Sequence, residues 1–170
     1  MLSESARATT AAEARFRINA PNSRGRTVKV IALDAASERV VKHLASRPWN
    51  AASFFTASAF ASAPQDAQRF SMEGWLKDLA GRTKSLMDEV ASADLVVMIA
   101  AAGEHAEAAA IIGEACSARH VMTTALVLGS QAASDEALAK TLAQLRPHAM
   151  MLVIANADEY IEDMLTALRA

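Results

Sequence analysis

The stretch Leu95-Val-Val-Met-Ile-Ala-Ala-Ala-Gly-Glu104-His105 decides the fold of this chain. Its first seven residues are all apolar, which is typical of a central parallel strand that is covered on both faces. The sequence then turns into an alanine-rich helix, which we predict over about residues 104–118. In a doubly wound α/β protein, a junction of this kind lies at the carboxyl end of a strand, where ligands bind.

This junction is poor in glycine. Nucleotide-binding versions use several glycines, so that backbone N–H groups can approach phosphate oxygens. Here Gly103 stands alone, and the carboxylate of Glu104 follows it directly. The sequence therefore predicts the architecture of a ligand-binding fold without the loop that a phosphate group requires.

The rest of the chain alternates between strand-like and helix-like patterns. Such alternation predicts parallel strands joined by crossover helices. We therefore predict a three-layer α/β/α Rossmann-like domain with a mainly parallel five-stranded sheet in the order 2-1-3-4-5. The predicted strands cover residues 27–33, 53–56, 95–101, 124–128 and 150–154, and the predicted helices cover about 37–46, 71–90, 104–118, 134–145 and a last segment that begins at Asn156 or Asp158.

Two of these helices depend on particular residues. Ser71 is a candidate cap for the helix over residues 71–90, in which apolar residues from Trp75 to Val90 recur at a spacing of three and four. The helix over residues 104–118 contains Gly113. Glycine inside a helix costs about 1 kcal/mol relative to alanine, so we expect a close neighbour there that compensates.

Composition limits the possible functions. The chain has 170 residues and a mass of 18.0 kDa, is 52% hydrophobic and 21% charged, and is therefore typical of one globular domain. Its net charge of −2 lacks the basic footprint of a nucleic-acid-binding protein. No apolar run is long enough to span a bilayer, so we expect no membrane partner. The single cysteine, Cys116, excludes an internal disulfide and a cysteine-based metal cluster.

The first 26 residues differ from the remainder. They are rich in Ala, Ser, Thr and Arg and have no sustained apolar stripe, so we predict a mobile tail over residues 1–26 and a single domain over residues 27–170. The arginines are similar to those of a transit peptide, but Glu4 and Glu13 oppose that interpretation. Because a hydrophobic signal region is also missing, we predict a cytoplasmic location.

Residues 28–156 resemble the nucleotide-binding domain of the bacterial tubulin FtsZ. The resemblance implies the tubulin fold and, in intact members of that family, GTP hydrolysis with acidic residues from a second domain of the adjacent subunit. This chain ends before any such domain. The segments that carry the likeness are Val28-Lys-Val-Ile, Asp94 to Gly103, the small-residue helix through Ile111, Gly113 and Glu114, Thr124 to Leu128, Leu142-Ala-Gln-Leu-Arg-Pro-His148, Leu152-Val-Ile154 and Asn156.

The chain departs from the family at the residues that would contact nucleotide. Asp34-Ala-Ala-Ser-Glu38 stands where the family has a glycine-rich turn, and Ala102-Gly-Glu-His-Ala106 stands where it has its phosphate loop. A carboxylate at Glu104 would repel a phosphate by up to about 4 kcal/mol at an intermediate dielectric constant. The resemblance therefore implies a degenerate domain in which the GTPase chemistry has been lost.

The candidate ligand-binding residues lie in the turns at the carboxyl ends of the predicted strands. Asp34 is placed either to hold a ribose hydroxyl or a ligand amine, or to cap the following helix. Glu104 and His105 could join Asp34 in binding a metal or moving a proton. Alternatively, Glu104 and Glu107 favour the positive end of a helix. The spacing matches no known metal motif, so we predict no metal site. The full set is Asp34, Ser37, Gly103, Glu104, His105, Gly129 and Asn156.

Three functions remain open at the level of sequence. The first hypothesis is a non-catalytic domain that senses a small-molecule ligand or associates with itself as a homo-oligomer. The alternative is an enzyme that acts on a small anionic or nucleotide-like substrate in the crevice between the first and third predicted strands. A third possibility is an interaction module that uses an edge of the sheet or the alanine-rich helix. The sequence identifies no cofactor.

Overall fold

The computed structural model describes residues 25–58, 76–129, 131–155, 158–168 and 170. Of the predicted tail, only Gly25 and Arg26 are among them. The strands are β1 (Val28–Ala32), β2 (Ala52–Thr56), β3 (Leu76–Asp78), β4 (Thr83–Lys84), β5 (Leu95–Ala101), β6 (Met122–Leu128) and β7 (Met151–Ala155). The α-helices are α1 (Ala35–Ala45), α2 (Leu86–Ala91), α3 (Ala108–Arg119), α4 (Asp135–Leu145) and α5 (Asp158–Ala167), and a short 3-10 helix (Arg146–His148) follows α4.

The described strands form one mixed sheet in the order β4-β3-β2-β1-β5-β6-β7. The neighbouring strands β2, β1, β5, β6 and β7 pair in parallel. Strand β3 pairs antiparallel with β2 and with β4. The α/β class is confirmed. The prediction of a five-stranded sheet is wrong, because two short strands extend the sheet beyond β2 to give seven.

The predicted long helix over residues 71–90 is wrong over residues 76–84, whereas residues 86–90 are helical. Residues 76–84 form a small hairpin, and helix α2 begins only at Leu86. The reversal is made by Asp78, whose Oδ1 accepts hydrogen bonds from the backbone N–H groups of Ala80 and Arg82 at 3.0 and 2.9 Å. Gly81 adopts a positive φ of 80° in the same turn. This local turn chemistry overrides the helical spacing. Ser71 and Trp75 lie outside the described residues.

Helices cover both faces of the sheet. One buried cluster joins the sheet to α2, α3 and α4, and a second joins it to α1 and α5. The side chains of β5 alternate between these clusters, since Val96 and Met98 belong to the first and Val97 and Ile99 to the second. The continuous apolar run of β5 is therefore buried on both faces, as predicted.

Helix α3 runs close to the 3-10 helix that follows α4. A Cβ atom built on Gly113 would lie 2.6 Å from the Cβ of His148, which is nearer than real Cβ atoms approach one another. Only glycine permits this contact without a shift of the backbone. The expected close neighbour of Gly113 is thus confirmed.

In the part of the chain that the structure describes, no helix combines the length and the apolar character needed to cross a membrane.

Candidate functional site

The turns that follow β1 and β5 meet at the carboxyl edge of the sheet, and the carboxylate of Asp34 joins them. Asp34 is the N-cap of α1, and its Oδ1 accepts a hydrogen bond of 2.8 Å from the backbone N–H of Ser37. Its Oδ2 accepts a hydrogen bond of 2.9 Å from the backbone N–H of Ala101, at the end of β5. Both carboxylate oxygens of this buried side chain therefore bind backbone groups of the protein.

Ser37 completes the same cap. Its hydroxyl donates a hydrogen bond of 3.0 Å to the carbonyl oxygen of Asp34, and the backbone N–H of Asp34 points back to this hydroxyl at 3.2 Å. Ser37 is fully buried. A hydroxyl that donates to a backbone carbonyl has no base to remove its proton, so this geometry does not activate Ser37 as a nucleophile.

The loop after β5 is held by side chains of α4. The backbone N–H of Gly103 donates to Oγ1 of Thr141 at 3.0 Å, and the backbone N–H of Ala106 donates to Oε1 of Gln144 at 2.9 Å. Thr141 is buried, and its hydroxyl donates to the carbonyl oxygen of Glu104 at 3.3 Å. Two backbone amides and one backbone carbonyl of this loop are thus hydrogen-bonded to side chains of α4.

The remaining candidates lie at separate places. Glu104 and His105 are exposed in this loop, and α3 begins at Ala108, so the prediction that they open a helix is wrong. The capture of the loop by Thr141 and Gln144 explains the later start of the helix. Gly129 follows β6 with a positive φ of 69° and is exposed. Asn156 lies outside the described residues.

A polar cluster beside this crevice was missed by the sequence analysis. Oε2 of Glu38 accepts hydrogen bonds from the hydroxyls of Ser58 and Thr56 at 2.7 and 3.0 Å, and Oε1 pairs with Nζ of Lys42 at 2.7 Å. The hydrogen bonds from Lys42, then Ser58 and Thr56, hold the pKa of Glu38 below its ordinary value and outweigh the opposite effect of burial.

The cluster borders a cavity of about 380 Å³, whose wall also includes Lys77 and Asp78. The spacing of four residues between Glu38 and Lys42 is the one sequence signal that could have revealed it. The two hydroxyls come from the end of β2, and no local pattern connects them to α1.

A larger cavity, of about 590 Å³, lies at the amino ends of the parallel strands, opposite the carboxyl edge that holds Asp34. It opens at the amino ends of β6 and β7, between α3 and the 3-10 helix. Its wall includes His120 and His148, which the sequence analysis did not single out as binding residues, together with Met122 and Met150.

Two kinds of reactive group, a metal centre and a cysteine nucleophile, can be checked among the described residues. Among them, no group of three or more His, Cys, Asp or Glu side chains lies close enough together to hold a metal ion. Cys116 is fully buried, and desolvation raises the pKa of its thiol to about 12, so it is not a nucleophile at neutral pH.

No protein-family model matches the sequence, and a search of curated proteins finds no significantly similar relative. The resemblance to FtsZ therefore continues to rest on the sequence segments alone.

Proposed function

We propose that this chain is a non-catalytic α/β domain, derived from a tubulin-like nucleotide-binding fold, that works by associating with a second copy of itself. In this proposal the crevice between β1 and β5 serves as a structural joint and does not hold a triphosphate.

The observation that carries the proposal is the occupation of the loop amides. A phosphate-binding loop needs backbone N–H groups that are free to donate to the ligand. At this site the N–H groups of Ala101, Gly103 and Ala106 donate to side-chain oxygens of the protein, at distances from 2.9 to 3.0 Å. A phosphate would have to replace three formed hydrogen bonds, of which each contributes about 0.5–1.5 kcal/mol, or more where the acceptor is charged.

Electrostatics supports the same proposal. The buried carboxylate of Asp34 binds the end of β5, and Glu104 adds a second carboxylate in the adjoining loop. Both carboxylates repel an anion at this edge; solvent screens the exposed charge of Glu104 more than the buried charge of Asp34.

Titration with magnesium GTP and magnesium GDP, combined with a phosphate-release assay, tests the proposal. We expect no calorimetric binding at micromolar nucleotide and no turnover. Glu104→Gly serves as a matched variant, because it removes the loop carboxylate and leaves the amide hydrogen bonds in place. If Glu104→Gly binds GTP and the wild-type protein does not, the charge of Glu104 prevents nucleotide binding and the occupied loop amides do not. Micromolar binding with turnover by the wild-type protein would overturn the proposal.

The polar cavity beside Glu38 favours a second candidate, the binding of a small polar or anionic ligand. Lys77 supplies positive charge outside the Glu38–Lys42 pair, Asp78 adds a carboxylate, and the hydroxyl oxygens of Ser58 and Thr56, which donate to Glu38, can accept hydrogen bonds. A thermal-shift screen of small anions separates the two candidates. A response that is lost in Lys77→Ala but kept in Glu104→Ala would place a ligand at this cavity, whereas the absence of any response would leave self-association as the function.

A further inference from the structure

We infer that two copies of this chain pair along strand β7, antiparallel and about a two-fold axis. The inference rests on the proposed self-association and names the surface that carries it. Among the described residues, β7 pairs only with β6 and ends the sheet. The backbone groups on its outer side therefore have no strand partner there, and such an edge is a template for another strand.

Exposed apolar side chains gather at this edge. In the described part of the chain, the exposed large hydrophobic residues are Met122, Met150, Met151, Ile154 and Tyr160. Met151 and Ile154 belong to β7 and are 42% and 43% exposed, whereas Met150 directly precedes the strand and is 78% exposed. Tyr160 lies on the helix that follows β7, and Met122 begins the neighbouring strand. Met151 and Ile154 are three residues apart and therefore lie on opposite faces of the sheet, so apolar surface is exposed on both faces along this edge.

The charge pattern of the edge favours a second copy as the partner. No charged residue occurs in the sequence Met150-Met-Leu-Val-Ile-Ala155. Antiparallel pairing of two identical strands therefore places no like charges opposite each other. A two-fold contact is also self-complementary, because each exposed residue on one copy meets its equivalent set on the other. A second copy of β7 supplies an uncharged apolar strand of this kind.

The other end of the sheet lacks these properties. Strand β4 has only two residues, one of which is Lys84, and Arg82 and Lys77 adjoin it. A short edge strand with positive charges is a common protection against edge-to-edge pairing. The pairing surface is therefore assigned to β7 and not to β4.

The flanks of β7 enlarge the surface. A five-residue strand is about 17 Å long, and its pairing alone would bury less than the roughly 1,200–2,000 Å² of a stable interface. The cavity of about 590 Å³ opens at the amino end of β7, beside Met122 and Met150. Antiparallel pairing brings the carboxyl end of the partner strand alongside the amino end of β7, so the surface around Met150 and Met122 adds to the contact.

Sedimentation equilibrium of the full chain between about 1 and 100 µM, a range suited to micromolar dissociation constants, tests the inference. We expect a reversible dimer for the wild type. Ile154→Lys sets two positive charges against each other near the axis and should raise the dissociation constant at least about tenfold. Thr83→Lys is the matched control, because it adds the same charge to the exposed edge strand β4, and it should leave the dimer unchanged.

Hydrogen exchange of the wild-type protein at low and high concentration gives a second readout that does not depend on a variant. Amides of β7 should become more protected as concentration rises, whereas amides of β3 and β4 should not.

Each remaining outcome has a distinct meaning. If a folded Ile154→Lys protein dimerises as well as Thr83→Lys does, the assignment to β7 fails and self-association stands. If the wild type is a monomer throughout, self-association fails and the surface fails with it. If β7 is equally protected at every concentration in a monomer, another segment of the chain covers the edge and the inference is overturned.

Discussion

The strands on the two sides of β1 differ in pairing, burial and charge. On one side, β5 and β6 are long, parallel and apolar, and they lead to the uncharged edge strand β7. On the other side, β2 leads to the short antiparallel strands β3 and β4, where lysine, arginine and aspartate are frequent. The first arrangement needs helices on both faces, whereas the second ends the sheet in solvent with charged residues.

The polar groups of the crevice follow the same division. On the β5 side, Thr141 and Gln144 of α4 bind the backbone of the loop. On the β2 side, the carboxylate of Glu38 gathers two hydroxyls and the amine of Lys42. One side is therefore a backbone joint and the other is a side-chain cluster beside a cavity. A ligand of the second proposed function would bind on the β2 side, whereas the side chains of the β5 side hold backbone groups of the protein.

The largest expected effect concerns Asp34, which links the two sides. Asp34→Ala should reduce the free energy of unfolding by about 2–4 kcal/mol, because it removes a helix cap and leaves the partly buried N–H of Ala101 without this acceptor. Urea unfolding measures the loss. Ser134→Ala is the matched control, since Ser134 caps α4 through the N–H of Ala137 alone. If the two variants lose equal stability, Asp34 acts only as a cap.

Alanine substitutions at two glycines test how closely the chain is packed on the β5 side and on the β2 side of the sheet. Gly113→Ala should cost about 1–3 kcal/mol, because its Cβ would lie 2.6 Å from that of His148. Gly81→Ala, in the turn between β3 and β4, has no neighbour within 4 Å and should cost only about 1 kcal/mol, owing to its positive φ. Thermal unfolding compares them. A Gly113→Ala variant that gains stability from its higher helix propensity would contradict the close packing.

The pH dependence of stability should reveal the Glu38 cluster. The pKa of this carboxyl is lowered in the folded protein from an unperturbed 4.5. Its contribution is therefore complete above pH 4.5 and is lost as the pH falls through the lower folded-state value. The contribution should be at most about 1 kcal/mol after solvent screening.

Urea unfolding from neutral pH down to the acid limit of the native state measures this dependence for the wild type and for Glu38→Gln. The variant should flatten the profile in that window. Glu136→Gln, which disrupts an exposed pair with Lys140, is the control and should leave the profile unchanged. An equal slope in all three proteins would show that the cluster does not stabilise the fold.

The smallest expected effect is a lack of reaction at Cys116. With a pKa of about 12, only about one thiol in ten thousand is ionised at pH 8. A disulfide-exchange reagent should therefore label the native protein far more slowly than the urea-unfolded protein. Labelling of the native protein at the rate of a free thiol would show that the β5 side opens readily.

Local sequence patterns predicted one part of the fold well and another part poorly. The predicted strands over residues 95–101 and 124–128 depend on neighbours in sequence, and both are confirmed. The hairpin of β3 and β4 was predicted as helix, because its apolar spacing also fits a helix and the turn depends on one carboxylate, that of Asp78.

The candidate site was predicted less completely than the fold. Sequence position placed Asp34 and Gly103 in the turns at the carboxyl edge, but it could not identify their hydrogen-bond partners. Thr141 and Gln144 lie 38 residues beyond the amides they bind. A polar residue such as Thr141, within the stripe formed by Leu138, Leu142 and Leu145, is the signal that could have indicated a buried contact.

The sequence by itself determined the alternation of strands and helices, the two-sided burial of β5 and the expectation of a close neighbour at Gly113. These features follow from periodicity and from the size of a single residue. Only the tertiary structure decided that the loop amides are occupied, that Glu38 gathers its hydroxyls and that the two edges of the sheet differ. Each of those depends on groups that are distant in sequence and meet only when the sheet has formed.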